Sequence, residues 1–489
     1  MATTAADEQR VIDQVPKRLF IAGRWRDGGA GTLSVEDPAT GESLTEVADA
    51  TPADADAALA AATEAFPGWA ATAPRDRAEI VRRAYELMVE RTDDLALLMT
   101  LEMGKPLAES AAEVTYAAAF LRWYAEESVR IDGRFTTGET GAGRLLTMRV
   151  PVGPCLFITP WNFPLAMGTR KLGPALAAGC TCVVKPAKQT PLSMLALAQI
   201  FEDAGVPSGA VNVITGSSSG SLMAPLISDA RLRKLSFTGS TAVGKTLIEQ
   251  SAEQVLRVSM ELGGNAPFLV FEDADLGKAV DGAMIAKMRN GGEACTSANR
   301  FLVHESVADA FAERLAERIG GVQVGRGTEE GVQVGPLIDD AQRSSVRSHV
   351  EDAVGKGAKV LCGGSEVDGA GYFFEPTVLT DVPESAALLS EEIFGPVAPI
   401  TTFADDADAI ARANATEYGL VAYVFTQDVN RAFEVIEGLE TGMIGLNQGM
   451  VSNAGAPFGG VKQSGFGREG GPEGLGEYLE YKYVAMNVG

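Results

Sequence analysis

Histidine is nearly missing from this 489-residue chain, which holds only His304 and His349, and cysteine is sparse and odd in number at five. Scattered thiols in that number give neither the even framework of a disulfide-stapled domain nor a metal-ligand spacing. No metal site is expected, and the compartment is expected to be reducing and cytoplasmic. Positive charge is also in deficit. With 41 Lys and Arg against 65 Asp and Glu, the formal charge of −24 excludes the usual electrostatic routes to nucleic acid or an anionic membrane. The opening "MATTAADEQR" lacks the basic start and apolar core of a secretory signal. Val150 to Thr169 runs uncharged for twenty residues, but Pro151, Pro154, Pro160 and Pro164 break any regular membrane helix there.

What is present is an alternation of strand and helix signals from about residue 150. "PCLFIT" (154–159) and "TCVVK" (181–185) are apolar strands, and an apolar-periodic helix follows over 191–204. "VNVIT" and "KLSFT" repeat the theme, each ahead of a Gly/Ser turn. This is the pattern of a parallel sheet with crossover helices. A second series runs from "PFLVF" through "LVAYVFT" (420–426) to "MIGL" (443–446). Between "PFLVF" and the strand that follows it, residues 275–292 carry helical apolar spacing. Two α/β domains are expected. "LLTMRV" (145–150) and the C-terminal "EYLEYKYVAMNV" fit neither and are expected to form a small third element.

One motif points elsewhere. "FTGSTAVGKT" (237–246) fits the phosphate-loop pattern G-x-x-x-x-G-K-[ST], whose backbone N–H groups wrap phosphate and whose hydroxyl holds Mg²⁺. "PFLVFED" (267–273) even supplies an apolar strand ending in acids. Taken alone, these two stretches read as a nucleoside triphosphatase.

Four longer segments outweigh them: "TPWNFPLAMGTRKLGPALAAGC" (159–180), "MELGGNAP" (260–267), "NGGEACTSANR" (290–300) and "EEIFGPV" (391–397). In this order and spacing the chain resembles the aldehyde dehydrogenase superfamily over nearly its whole length, and within it most the succinate-semialdehyde dehydrogenases. The resemblance implies a Rossmann-type dinucleotide domain at 1–127 and 151–262, and a catalytic α/β domain at 263–462. It also implies a β oligomerisation element at 128–150 and 463–489, and with it a homodimer or homotetramer. Under it, "FTGST" becomes a turn at the cofactor pyrophosphate, with Gly239, Ser240 and Gly244 in that role and Lys245 and Thr246 on a helix surface.

The chemistry suits the residues. Hydride removal from an aldehyde needs a tetrahedral adduct bearing an oxyanion, and a thiolate is the natural nucleophile to make it. Cys295 lies in a Gly-rich turn whose N–H groups can face that oxyanion. The resemblance makes Cys295 the nucleophile, Asn162 the side-chain oxyanion donor and Glu261 the base that activates water on the thioester. It assigns Thr159, Trp161, Lys185, Glu392 and Phe394 to the cofactor. Lys188 stands where NAD-preferring relatives often carry Glu, and a cation there attracts a 2′-phosphate, so NADP is expected with NAD as the alternative. Arg170, Arg289 and Ser452 correspond to a carboxylate-binding set, which makes succinate semialdehyde the expected substrate. Glutarate semialdehyde and uncharged aldehydes are the alternatives. Ser297 stands where some relatives have a second cysteine, and Glu293-Ala294 replaces the commoner Gln-Thr before the nucleophile. A cysteine hydrolase is the rival class, but it needs a Cys–His pair, and His304 is expected on a strand after the Cys295 turn and His349 on a polar helix, so no such pair is expected. A catalytically silent protein of this fold is a third class, against which Cys295, Glu261 and Asn162 all stand.

Overall fold

A computed structural model describes residues 3–487. Its larger sheet has eight strands, in the order Arg24–Arg26, Leu19–Ile21, Val211–Val213, Thr181–Lys185, Pro154–Ile158, Lys234–Thr238, Arg257–Glu261 and Gly465–Phe466. The five from Val211–Val213 to Arg257–Glu261 are mutually parallel, and the edges are added antiparallel. From Pro154–Ile158 the chain first builds outward on one side and then returns to build on the other. The order therefore reverses beside that strand, and a crevice opens where the crossovers diverge. All five parallel strands point their C-terminal ends to the same side, so Ile158, Lys185, Thr238 and Glu261 lead into loops that share one rim.

The second sheet has seven strands: Lys359–Cys362, Thr377–Thr380, Val397–Phe403, Ala298–His304, Ala266–Val270, Val421–Phe425 and Met443–Leu446. All but the first pair run parallel. Its core is aromatic. Phe268 stacks on Phe425 at 4.8 Å and tilts against Phe301 at 5.1 Å, and burying each such ring contributes roughly 1.5–3 kcal/mol. Only Leu262–Asn265 separates the end of one sheet's strand from the start of the other's. The site thus receives C-terminal strand ends from the first sheet and N-terminal strand starts from the second.

Leu479–Met486 pairs antiparallel with Arg144–Pro151 along eight register partners, and Arg134–Thr137 completes a three-stranded sheet. The two segments that fitted neither domain are therefore neighbours. The stretch from 463 divides, however: Gly465–Phe466 joins the larger sheet, and Leu475 and Tyr478 pack into that sheet's core. Phe135, Tyr481 and Tyr483 leave the small sheet more than 60% exposed. Among the described residues, no helix is long and apolar enough to cross a membrane.

Candidate active site

The strand Lys234–Thr238 ends in Gly239 and Ser240, and Ser240 caps the helix Thr241–Ser251, its Oγ accepting from the Val243 N–H at 3.5 Å. Unsatisfied N–H groups at such a helix start form an anion receptor. Gly244 lies further in, against the sheet: a Cβ there would come within 2.4 Å of Leu262, so this glycine serves helix–strand packing and does not line the crevice. Lys245 and Thr246 are exposed on the helix. Asp273, the acid that completed the triphosphatase pattern, is consumed by Thr426, by the N–H groups of Gln427 and Asp428, and by Arg431 at 2.7 Å.

The crevice holds a cavity of about 280 Å³ whose lining brings together Asn162, Glu261 and Cys295 with Trp161, Gly239, Ser240, Glu392 and Phe394. Besides Gly244, three expected cofactor residues lie off this lining. Thr159 is buried with a hydroxyl that has no partner, Lys185 donates to Ser219 at 2.6 Å, and Lys188 is exposed beyond the strand end. Burial, and then the Lys188 charge, bring the Lys185 ammonium down to about 8. Phe394 has a left-handed backbone (φ 50°) and meets Trp161 edge-on at 5.3 Å. Gln342 holds that turn by donating to the Phe394 carbonyl at 2.8 Å.

The loop that carries Cys295 begins where the helix Leu276–Met288 breaks. Asn290, Gly291 and Gly292 all have positive φ, which turns the chain sharply. A Cβ on Gly292 would sit 2.2 Å from the Gly395 carbonyl, so no other residue fits. Asn290 tolerates its strained backbone because its amide ties two loops together, donating to the carbonyls of Asn162 at 3.0 Å and Glu293 at 2.9 Å. The Asn162 amide also donates to the Glu293 carbonyl, at 3.1 Å, and the Cys295 N–H donates to no other protein group among the described residues. Lys105, buried and paired with Glu113 at 2.6 Å, clamps the Asn162 carbonyl at 2.8 Å. Glu113 in turn receives the N–H groups of Leu165 and Ala166. The Glu293 carboxyl anchors the loop on the Ile338 N–H at 3.1 Å, and burial holds it well above the usual carboxylate range.

Burial pushes the Cys295 thiol up to about 12, against the pull of Arg170 and Arg289 and with the help of Glu392 and Glu261. Among the described residues Glu261 has no hydrogen-bond partner for either oxygen, and burial, then Glu469, raise it well above the carboxylate range. Glu392 is pushed up to about 7 by burial, while the Gly264 N–H at 3.1 Å and Lys287 oppose the shift. Burial thus disfavours the ionised forms of both Cys295 and Glu261, and added positive charge in this cavity favours them.

A second cavity, of about 620 Å³, begins at the neighbouring residue, Phe163. Arg289 and Ser452 line it together with apolar side chains such as Met284 and Val334 and with the charged Lys105, Glu109, Glu113 and Arg318. Among the described residues no carboxylate lies within ion-pair distance of Arg289, which lies over the Phe163 ring at 4.6 Å and donates to the Met450 sulfur. Arg170 lines neither cavity. Its Nε lies 2.7 Å from Glu469, its guanidinium rests on Phe458 at 3.9 Å, and its buried Nη2 has no hydrogen-bond partner. The structure therefore corrects the expected trio: Arg289 and Ser452 face the cavity, whereas Arg170 stands behind its wall, partly spent on an acid from the far end of the chain.

This architecture is that of the aldehyde dehydrogenases, and the chain belongs to the Aldehyde dehydrogenase family, which matches residues 25–484. It is similar to a succinate-semialdehyde dehydrogenase of Paenarthrobacter nicotinovorans, 59% identical over 91% of this chain and 98% of the relative. It is also similar to a glutarate-semialdehyde dehydrogenase of Pseudomonas putida, 51% identical over 96% of this chain and 98% of the relative. Among solved structures it superposes on an E. coli NADP dependent enzyme at a TM-score of 0.96, with 48% identity and 100% of both chains covered.

Sequence motifs contained Asn290 but did not announce its tie to Asn162. Lys105, Glu113, Gln342 and Glu469 carried no recognisable signal of their own.

Proposed function

We propose that this protein oxidises succinate semialdehyde to succinate, with NADP preferred and NAD as the alternative. The observation that carries the reading is Arg289, a cation with no carboxylate within ion-pair distance among the described residues, on the wall of the cavity that begins at Phe163, next to Asn162. A guanidinium so placed suits a carboxylate several atoms from the reacting carbonyl.

The Cys295 sulfur adds to the aldehyde carbon, and the oxygen takes the charge. The Asn162 amide and the Cys295 N–H hold that oxyanion, donors fixed in advance by Lys105, Glu113 and Asn290. A nicotinamide cofactor held in this cavity would supply the hydride acceptor that turns the adduct into a thioester. Glu261 then takes a proton from water, the hydroxide attacks the thioester, and the C–S bond breaks to release the acid. The residues fit such a cofactor: a capped helix start at Gly239 and Ser240, the unpartnered buried hydroxyl of Thr238, and Trp161, Glu392 and Phe394 around the same cavity. Thr159 and Lys185 extend the rim, and exposed Lys188 supplies charge for a 2′-phosphate. The unexcluded thiol chemistry suits a reducing cytoplasm, and the exposed Tyr481 and Tyr483 strand suits a homodimer or homotetramer.

Initial rates on succinate semialdehyde, glutarate semialdehyde and butanal, each with NADP and NAD, test the reading. Succinate semialdehyde with NADP is expected to lead. Butanal turning over as efficiently as the acids would end it, and a lead for glutarate semialdehyde would lengthen the substrate by one methylene.

A further inference from the structure

The helix Leu107–Glu127 turns one face to the larger cavity, placing Ala108, Glu109, Ala112, Glu113 and Tyr116 on its wall at helical spacing. Two of these are committed elsewhere. Glu109 receives the Asn290 N–H at 2.6 Å, and Glu113 is filled by Lys105 and two backbone donors. Tyr116 is not committed. Its hydroxyl is buried and, among the described residues, has no hydrogen-bond partner. Its ring meets Phe120, one turn on, edge-to-face at 4.9 Å, and Phe120 in turn lies 5.8 Å from the Arg170 guanidinium. The unpartnered Nη2 of Arg170 and the unpartnered hydroxyl of Tyr116 therefore stand on one side of the site, while Arg289 and Ser452 line the same cavity.

Buried polar groups in native proteins are almost always paired, so a dry phenol O–H calls for an explanation. Packing alone would be met by Phe. The nearby acids on its own helix are already bonded, and the surrounding cations draw an anion. We propose that Tyr116 is a specificity residue, its hydroxyl donating to the distal carboxylate of the substrate alongside Arg289 and Ser452. This rests on the reading that the substrate carries that carboxylate.

Tyr116→Phe removes a single oxygen and keeps the ring in place. Steady-state kinetics of the full-length enzyme on succinate semialdehyde and butanal, with the variant beside the unaltered protein, decide the matter. The variant is expected to lose roughly tenfold in kcat/KM on succinate semialdehyde, mainly through KM, because a hydrogen bond to a charged group is lost. On butanal it should stay within about twofold, since that substrate has no group for the hydroxyl to meet. An unaltered enzyme that prefers succinate semialdehyde, paired with a Tyr116→Phe variant that keeps the same preference, overturns the role of Tyr116 alone. Equal losses on both substrates also overturn it and make the tyrosine a packing residue. An unaltered enzyme without preference for the charged aldehyde removes both this role and the reading beneath it.

Discussion

The two cavities, one lined by Cys295 and the other by Arg289, are built from different materials. The smaller is made of loops at strand ends: Gly239 and Ser240 after one strand, Glu261 at the end of the next, Trp161 and Asn162 after a third. The larger is made mainly of side chains from two helix faces, Ala108 to Tyr116 on one and Met284 to Arg289 on the other. Loops at strand ends are fixed by backbone and by glycine, and they suit groups that every turnover needs in one place. Helix faces can change residue by residue without disturbing the sheet, so they suit the choice of substrate. On the proposed reading the molecule separates chemistry from recognition, and Arg289, just beyond the last turn of its helix and six residues before Cys295, links the two.

If the separation holds, damage on the strand-end side falls on all aldehydes alike. Cys295→Ala is expected to abolish dehydrogenation, by about a thousandfold or more on charged and uncharged aldehydes alike. Cofactor reduction by this variant at near-normal rate would refute the thiol adduct. Glu261→Gln should leave a first-turnover burst and slow the steady state by about a hundredfold. Its pH dependence follows from its burial. The folded carboxyl is raised, so the basic form is scarce at low pH and accumulates as pH rises through that raised value. Thioester hydrolysis in stopped flow should therefore accelerate with pH in the unaltered enzyme and lose that rising limb in Glu261→Gln. A limb that survives the substitution would assign it to another group. The smallest effect is expected furthest from the reacting atoms. Lys188→Glu should shift the NADP to NAD ratio of kcat/KM by about tenfold toward NAD, with the aldehyde preference intact. An unchanged cofactor ratio would reduce Lys188 to a surface residue.

The contrast also explains what could be read from the sequence. Sites at strand ends concentrate in short contiguous motifs, so the resemblance could assign Asn162, Glu261 and Cys295 from "PWNFP", "MELGG" and "NGGEAC", and the strand before "PWNFP" showed as the apolar run "PCLFIT". A helix face spreads its residues three and four apart amid ordinary core positions. Tyr116 therefore carries no motif that marks it, nor do Lys105 and Glu113, which the fold pairs at 1% side-chain exposure each. Arg170 was misjudged as a lining residue because its counter-ion, Glu469, arrives from 299 positions away and only tertiary structure joins them. Gly244 looked like a phosphate glycine because close helix–strand packing and close cofactor approach demand the same residue. The Leu145–Val150 and C-terminal strands were visible as alternating segments, but their shared register was not.

The central claim is that Arg289 recognises a carboxylate and takes no part in the acyl chemistry. The most direct test is the ratio of kcat/KM for succinate semialdehyde over butanal, measured in the unaltered enzyme and in Arg289→Ala. Loss of a charge-assisted contact is expected to lower that ratio by about tenfold to a hundredfold, with the butanal value nearly constant. A ratio that stays the same while both rates fall together would contradict the claim and make Arg289 a structural residue.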